Sequence, residues 1–194
     1  MIALVSSSAS LIVGMVAALS LVRRRFMGKD LLNAIVFTPL IVPEVVTGLA
    51  FLMLYTKLNM RDSFINITIL HIVLGIPYTL RIIMAGLYRF NISLEEAAMS
   101  LGARRIATLR EVTLPLMKPS LIAAWIFAFV VSFNNFTATL FLVTRKGTLP
   151  VEVFSYIRTE SDPTIAAFTT LLILSTVFIV MVIARLVGLE KISS

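Results

Sequence analysis

The sequence predicts an all-α integral membrane protein with five transmembrane helices, from its composition, the length of its apolar runs and the placement of its charges. Of 194 residues, 59% are hydrophobic and 14% charged, with a mean hydropathy of +1.00, more apolar side chain than a soluble domain of that size buries. Five apolar stretches, at 2–22, 31–55, 64–87, 120–143 and 164–187, can each cross about 30 Å of hydrocarbon at about 1.5 Å per helical residue. Lipid offers the backbone N–H and C=O groups no partner, so continuous helices must satisfy them; the alternating pattern of a membrane barrel is absent. The net charge of +7 comes without a dense basic run interleaved with aromatics, so nucleic acid is not an expected partner. Zero Cys excludes disulfides and thiolate metal sites and leaves the redox compartment open.

The first stretch lacks a basic leader, and Arg23, Arg24 and Arg25 follow it, so a retained helix is expected rather than a cleaved signal. The second carries Glu44 beside Pro39 and Pro43, both able to kink a helix. The third holds His71 near its outer end and Arg81 on the cytoplasmic side. His71 has no Asp, Glu or Cys at ligand spacing and reads as a satisfied interfacial residue with no chemistry. Arg81 reads as structural, its stem snorkelling to the headgroups or its guanidinium pairing with a carboxylate. The fourth carries Asn134 and Asn135, and the fifth completes the set.

One set of loops holds Arg23, Arg24, Arg25, Lys29, Arg89, Arg104, Arg105, Arg110, Lys118, Arg185 and Lys191; the other holds Lys57, Arg61, Arg145, Lys146 and Arg158. The positive-inside rule therefore places Met1 outside and Ser194 in the cytoplasm, which an odd number of spans fits. Two connections exceed simple turns, a cytoplasmic one at 89–119 and an outer one at 144–163. In the outer one, "LPVEVFSYIRTE" suits a short helix or strand on the membrane surface, and Glu152, Arg158, Glu160 and Asp162 mix with Phe154 and Tyr156. With no soluble segment or internal repeat, residues 1–194 read as one membrane domain.

Within the cytoplasmic loop, Ser93 stands three residues before Glu96, a capping-box spacing, and Glu95 and Glu96 suit the positive first turn of a helix. Leu94, Ala97, Ala98 and Leu101 follow at helical spacing as one narrow apolar face, and Gly102 suits the left-handed residue that ends a helix. A second short helix carries Ile106, Leu109 and Val112 on one side, until Pro115 blocks continuation. Periodicity alone leaves two readings open: an amphipathic pair resting on headgroups, or a docking element.

Glu96-Ala97-Ala98, Gly102 after three residues, and Val112-Thr113-Leu114-Pro115 after nine more resemble the "EAA" signature of binding-protein-dependent ABC importer permeases, with Val112 in place of the commoner Ile. The likeness extends over nearly the whole chain and is to the spermidine/putrescine type, through "RRRFMGK", "TPLIVPEVVTGLAFLMLY", "HIVLGIPYTLRIIMAGL", "SFNNFTATLFL" and "GTLPVEVFSYIRTESDPTIAA". The resemblance implies a type I importer permease fold in a bacterial or archaeal plasma (inner) membrane. It implies that Glu95, Glu96, Ala97, Ala98, Leu101, Gly102, Ala103, Arg104, Leu114 and Pro115 belong to a coupling loop seated in a cytoplasmic ATPase. The implied partners are an ABC ATPase dimer, a second permease subunit and an external solute-binding protein. No G-x-x-x-x-G-K-[ST] phosphate loop is present, so ATP and Mg belong to the ATPase and this chain binds no cofactor. The implied solute is a polyamine or similar small organic compound. The chain departs from the family in two ways. Where relatives usually have six spans, the segment resembling their second comes first here, which leaves open a five-span core or a missing first helix. Where many relatives carry an acidic residue after "SF", this chain has Asn134 and Asn135.

Glu44 and Asn134 each lie some thirteen or fourteen residues into a stretch entered from the cytoplasm, roughly 20 Å up, near or just beyond the midplane. An intramembrane carboxylate costs about 2.5–3.5 kcal/mol on insertion scales, so Glu44 should face the bundle interior or a wet cavity. Glu44, Asn134 and Asn135 then either border a solute path or hold helices together by hydrogen bonds. Two rival functions carry different expectations. An autonomous channel or secondary transporter expects dense ion-coupling groups or inverted repeats, and a non-transporting scaffold has no need of Glu44 and the Asn pair in one layer.

Overall fold

The computed structural model describes residues 1–24, 26–144, 147–159 and 164–187, and all of its regular elements there are helical. Arg25, Arg145, Lys146, Glu160, Asp162, Lys191 and Ser194 lie outside the described residues.

Three helices make the core: α1 (Ile2–Arg23), α4 (Ser63–Arg89) and α7 (Leu114–Asn134) pack against one another. In lipid such packing rests on close approach and interhelical hydrogen bonds, because apolar side chains gain nothing by leaving the tails. Along α1 the inward positions Ala3, Ser7, Ser10, Gly14, Ala18 and Leu21 recur at helical spacing, and all but the last are small. Gly14 lies so close to α4 that a Cβ there would stand 2.2 Å from Thr79 Oγ1. The Thr79 hydroxyl donates to Ser10 O at 2.9 Å and the Ser10 hydroxyl to Ile72 O at 3.0 Å, each bond worth about 0.6–2 kcal/mol. Toward the other end, Leu21, Leu80, Ile83, Leu87, Met117 and Ala124 form one apolar cluster.

The second predicted span is broken. It forms α2 (Lys29–Ile41) and α3 (Glu44–Lys57), bent by 105° at the break. Pro43 has no N–H to extend the ladder of α2 and forces Val42 into an extended conformation, ψ 130°. Pro39 is accommodated inside α2. The fourth predicted span is shifted at both ends. Its helix is under way at Leu114, well before 120, and stops at Asn134, leaving a short 3-10 turn, Thr139–Phe141, beyond it. Among the described residues, α1, α4 and the helix Arg105–Asn134 are long and apolar enough to cross a membrane, and the bent α2–α3 pair is a fourth candidate.

Loop 89–119 begins with α5 (Ser93–Ser100). The expected hinge is present: Gly102 has φ +92°, a conformation that strains other residues. Gly102 N–H donates to Met99 O at 3.0 Å and Ala103 N–H to Ala98 O at 3.1 Å, closing the helix in a Schellman motif. The capping box is not formed. Ile92 is already helical, so Ser93 lies inside the first turn and its N–H donates to Asn91 Oδ1 at 3.1 Å. Pro115 does not end the second helix either. After α6 (Arg105–Thr108) a π turn, Leu109–Thr113, leads directly into α7, giving one 30-residue helix over Arg105–Asn134. The wider π turn just ahead of Pro115 relieves the clash its ring makes with a preceding carbonyl in a regular helix.

The outer segment that suited helix or strand is a helix, α8 (Leu149–Thr159), with the Phe154 ring tilted 53° against that of Phe136, centroids 4.7 Å apart, just beyond α7. α9 (Thr164–Val187) packs on α7 and α8.

Candidate functional site

The two helix interruptions meet. Glu44 is the first residue of α3, where unpaired backbone N–H groups carry partial positive charge. Asn135 follows the last residue of α7 and donates from Nδ2 to Glu44 Oε2 at 3.3 Å. One turn along α3, Gly48 permits close contact with the chain beyond α7, since a Cβ there would stand 2.8 Å from Ala138 O. The carboxylate thus has a helix N-terminus and an amide donor to offset its insertion cost, while its outer side is exposed. Sequence spacing grouped Glu44 with both asparagines, and the structure separates them. Asn134 is exposed and turns back on α7, donating to Val130 O at 3.1 Å. The break is also further from the loop than counting from 120 suggests: the 21 residues of α7 extend about 31 Å.

Behind Asn135 runs a buried chain of polar side chains. Asn135 Oδ1 accepts from the Thr139 hydroxyl at 2.9 Å, Thr139 Oγ1 lies 2.8 Å from His71 Nε2, and His71 Nδ1 lies 2.7 Å from Ser132 Oγ. Ser132 Oγ is in turn 2.8 Å from Ser6 Oγ on α1. His71 is therefore not interfacial: it is 2% exposed with both ring nitrogens engaged. Isolated hydroxyls in apolar stretches were the available signal, because each needs a partner once buried. Among the described residues Arg81 meets no carboxylate; its guanidinium carbon lies 5.8 Å from the centre of the Phe37 ring.

At the loop, Glu95 and Glu96 part company. Glu95 is 8% exposed, held by two hydrogen bonds from the Arg23 guanidinium and one from the Thr113 hydroxyl. Arg23 also lies 5.5 Å from the centre of the Phe90 ring. One carboxylate thereby ties together the end of α1, the start of α5 and the π turn. Glu96 is exposed. The apolar face of α5 points outward: Leu94 is 46% and Leu101 90% exposed, with Ile106 beyond the hinge at 81%. Ala97, Gly102, Arg104 and Pro115 are also exposed, whereas Ala98, Ala103 and Leu114 are half-buried. Arg23, Arg24, Glu95, Glu96, Arg105 and Thr108 help line a cleft of about 560 Å³ between this loop and α1.

The pattern described as "Binding-protein-dependent transport system inner membrane component" matches residues 10–189. The chain belongs to this family of inner-membrane transport components. Over 191 residues this permease is 28% identical to the spermidine/putrescine transport system permease protein PotC of Escherichia coli K12, covering 97% of this chain and 72% of that one. It is 35% identical over 181 residues to the putrescine transport system permease protein PotI of the same organism, covering 89% and 64%. To a probable molybdenum ABC transporter permease protein of Haloferax volcanii it is 32% identical over 170 residues, covering 83% and 62%. The resemblance carried by the EAA-type loop is thereby confirmed, and the role of this permease is transport rather than catalysis.

Proposed function

We propose that this permease forms, as one membrane domain, half of the solute path of an ATP-driven importer, and that loop 89–119 couples it to a separate cytoplasmic ATPase carrying ATP and Mg. The inside-out polarity of α5 supports the coupling most directly. Its carboxylate Glu95 is buried and clasped, while Leu94, Leu101 and the neighbouring Ile106 face outward. This arrangement calls for a partner over the apolar side, and the EAA-type spacing favours a protein surface over lipid headgroups in that place. Basic residues concentrated in one set of loops support a cytoplasmic position for this loop and the C-terminus and an outer one for the N-terminus.

The interrupted helices at Glu44 and Asn135 support a path there, because non-helical backbone at membrane depth is tolerated where it is buried in protein or lines a wet cavity. An exposed carboxylate on that path favours a cationic organic solute, in keeping with the polyamines named for two of the relatives. A second permease subunit, identical or different, supplies the other half, and a solute-binding protein delivers the solute from outside. In proteoliposomes holding the complete transporter, Leu101→Glu should lower ATP-driven uptake at least ~10-fold while membrane insertion is unchanged, since a desolvated charge at a docked apolar position costs several kcal/mol. Undiminished uptake would remove the loop from the coupling contact.

A further inference from the structure

His71 bridges the end of α7. Ser132, 2.7 Å from Nδ1, belongs to the last turn of that helix, whereas Thr139, 2.8 Å from Nε2, lies in the 3-10 turn beyond the break. The direction of each hydrogen bond follows from Asn135. Thr139 N–H points at the Asn135 amide at 3.3 Å, so the amide presents its carbonyl oxygen there; the reverse orientation would oppose two donors. The Thr139 hydroxyl gives its one proton to the same oxygen at 2.9 Å and must accept from His71 Nε2–H. In the neutral ring Nδ1 then accepts from Ser132, whose oxygen accepts from Ser6 at 2.8 Å. Every donor in the chain points toward Glu44, and the amide N–H of Asn135 is left facing the carboxylate at 3.3 Å.

We infer that His71 is a positioning residue for solute recognition: by bridging Ser132 and Thr139 it fixes where α7 ends and which face of the Asn135 amide meets Glu44. The inference rests on the reading of Glu44 and Asn135 as part of the path. An imidazole suits the task because it donates at one edge and accepts at the other from a rigid ring, whereas Phe fills similar space and does neither.

The test compares His71→Phe, His71→Gln, Thr139→Val and Glu44→Gln in the complete transporter in proteoliposomes, with radiolabelled putrescine as probe. His71→Phe and Thr139→Val should raise KM for uptake at least ~5-fold, with maximal ATP hydrolysis stimulated by the binding protein kept within about twofold. His71→Gln, which can both donate and accept, should recover most of the loss. A second measurement needs no solute. The chain has no Cys, so Leu142→Cys, at a buried position that closes the 3-10 turn, gives this chain a single thiol. Its labelling by a soluble maleimide should be slow and should quicken at least ~5-fold with His71→Phe but not with His71→Gln. If Glu44→Gln raises KM while His71→Phe leaves both KM and labelling unchanged, His71 positions nothing and the inference falls alone. If Glu44→Gln also leaves KM unchanged, the path reading falls with it. A loss of maximal ATP hydrolysis equal to the change in KM, unrelieved by Gln, would reduce His71 to general structural support and overturn the inference.

Discussion

Glu95 and Glu96 are adjacent, chemically equivalent and equally placed to favour a helix N-terminus, yet only Glu95 is turned inward to Arg23 and Thr113. Sequence assigns both the same helix-starting role because the partners of Glu95 lie 72 and 18 residues away, beyond any local pattern. Arg23→Gln leaves a buried carboxylate without its counter-charge and should destabilise the loop by about 1.5–3 kcal/mol, the usual worth of charged hydrogen bonds. The expected signs are a lower melting temperature in detergent and weaker coupling of ATP hydrolysis to uptake. Glu96→Gln, at an exposed site, should leave the melting temperature unchanged, and the exchanged pair Arg23→Glu with Glu95→Arg should recover part of the loss. Equal effects of the Arg23 and Glu96 variants would show that the clasp contributes no stability. His71 follows the same logic: a lone histidine offers no ligand spacing, and only the break in α7 brings Ser132 and Thr139 to its two edges.

At the scale of elements, hydropathy and helical spacing were enough to locate α1, α4 and the body of α7, because lipid allows few alternatives to a continuous apolar helix. Gly102 was legible for a similar reason, since a left-handed residue closing a helix is most easily glycine. The prolines were less so. Pro43 breaks a helix and Pro39 does not, although both stand in one apolar run. Pro115 falls in the first turn of α7 rather than after the end of α6, because the π turn before it carries the helix through, and a π turn leaves no mark in a 3.6-residue period. The Schellman closure yields a graded expectation at Gly102. Gly102→Ala must hold φ near +92° at a strain of about 1–2 kcal/mol, and should lower coupled uptake several-fold. Gly102→Pro, whose ring fixes φ near −65°, cannot adopt the hinge at all and should abolish uptake while the spans still insert. Equal uptake by the Ala and Pro variants would show that the hinge geometry is irrelevant to transport.

Across the whole molecule, two routes among the described residues connect the loop with the proposed solute layer. The Glu95 clasp reaches α1, whose Ser6 lies at the far end of the His71 chain. The other route is the single helix Arg105–Asn134, which starts just past the Gly102 hinge and ends one residue before the amide that meets Glu44. Displacement of α5 by a partner therefore has a lever toward the break whose second half is stiff, because the run from Leu121 to Asn134, past the π turn, Pro115 and Pro119, contains neither Gly nor Pro. Softening that lever while giving up only two methyl groups, one of them buried at Ala124, tests its mechanical part. Ala123→Gly with Ala124→Gly removes two small methyl groups, costs about 1 kcal/mol of helix propensity at each position, and creates the paired-glycine site at which helices bend. Basal and binding-protein-stimulated ATP hydrolysis should persist, because the loop surface and its clasp are untouched. Solute moved per ATP should fall several-fold, because motion imposed at Arg105 dissipates in the softened turn before it reaches Asn135. Measuring both rates in the same vesicles separates this outcome from a general loss of stability, which lowers them together. An unchanged ratio would mean that force reaches the solute layer through α1 and the Arg23 clasp instead, and the Arg23 variant should then carry the larger uncoupling.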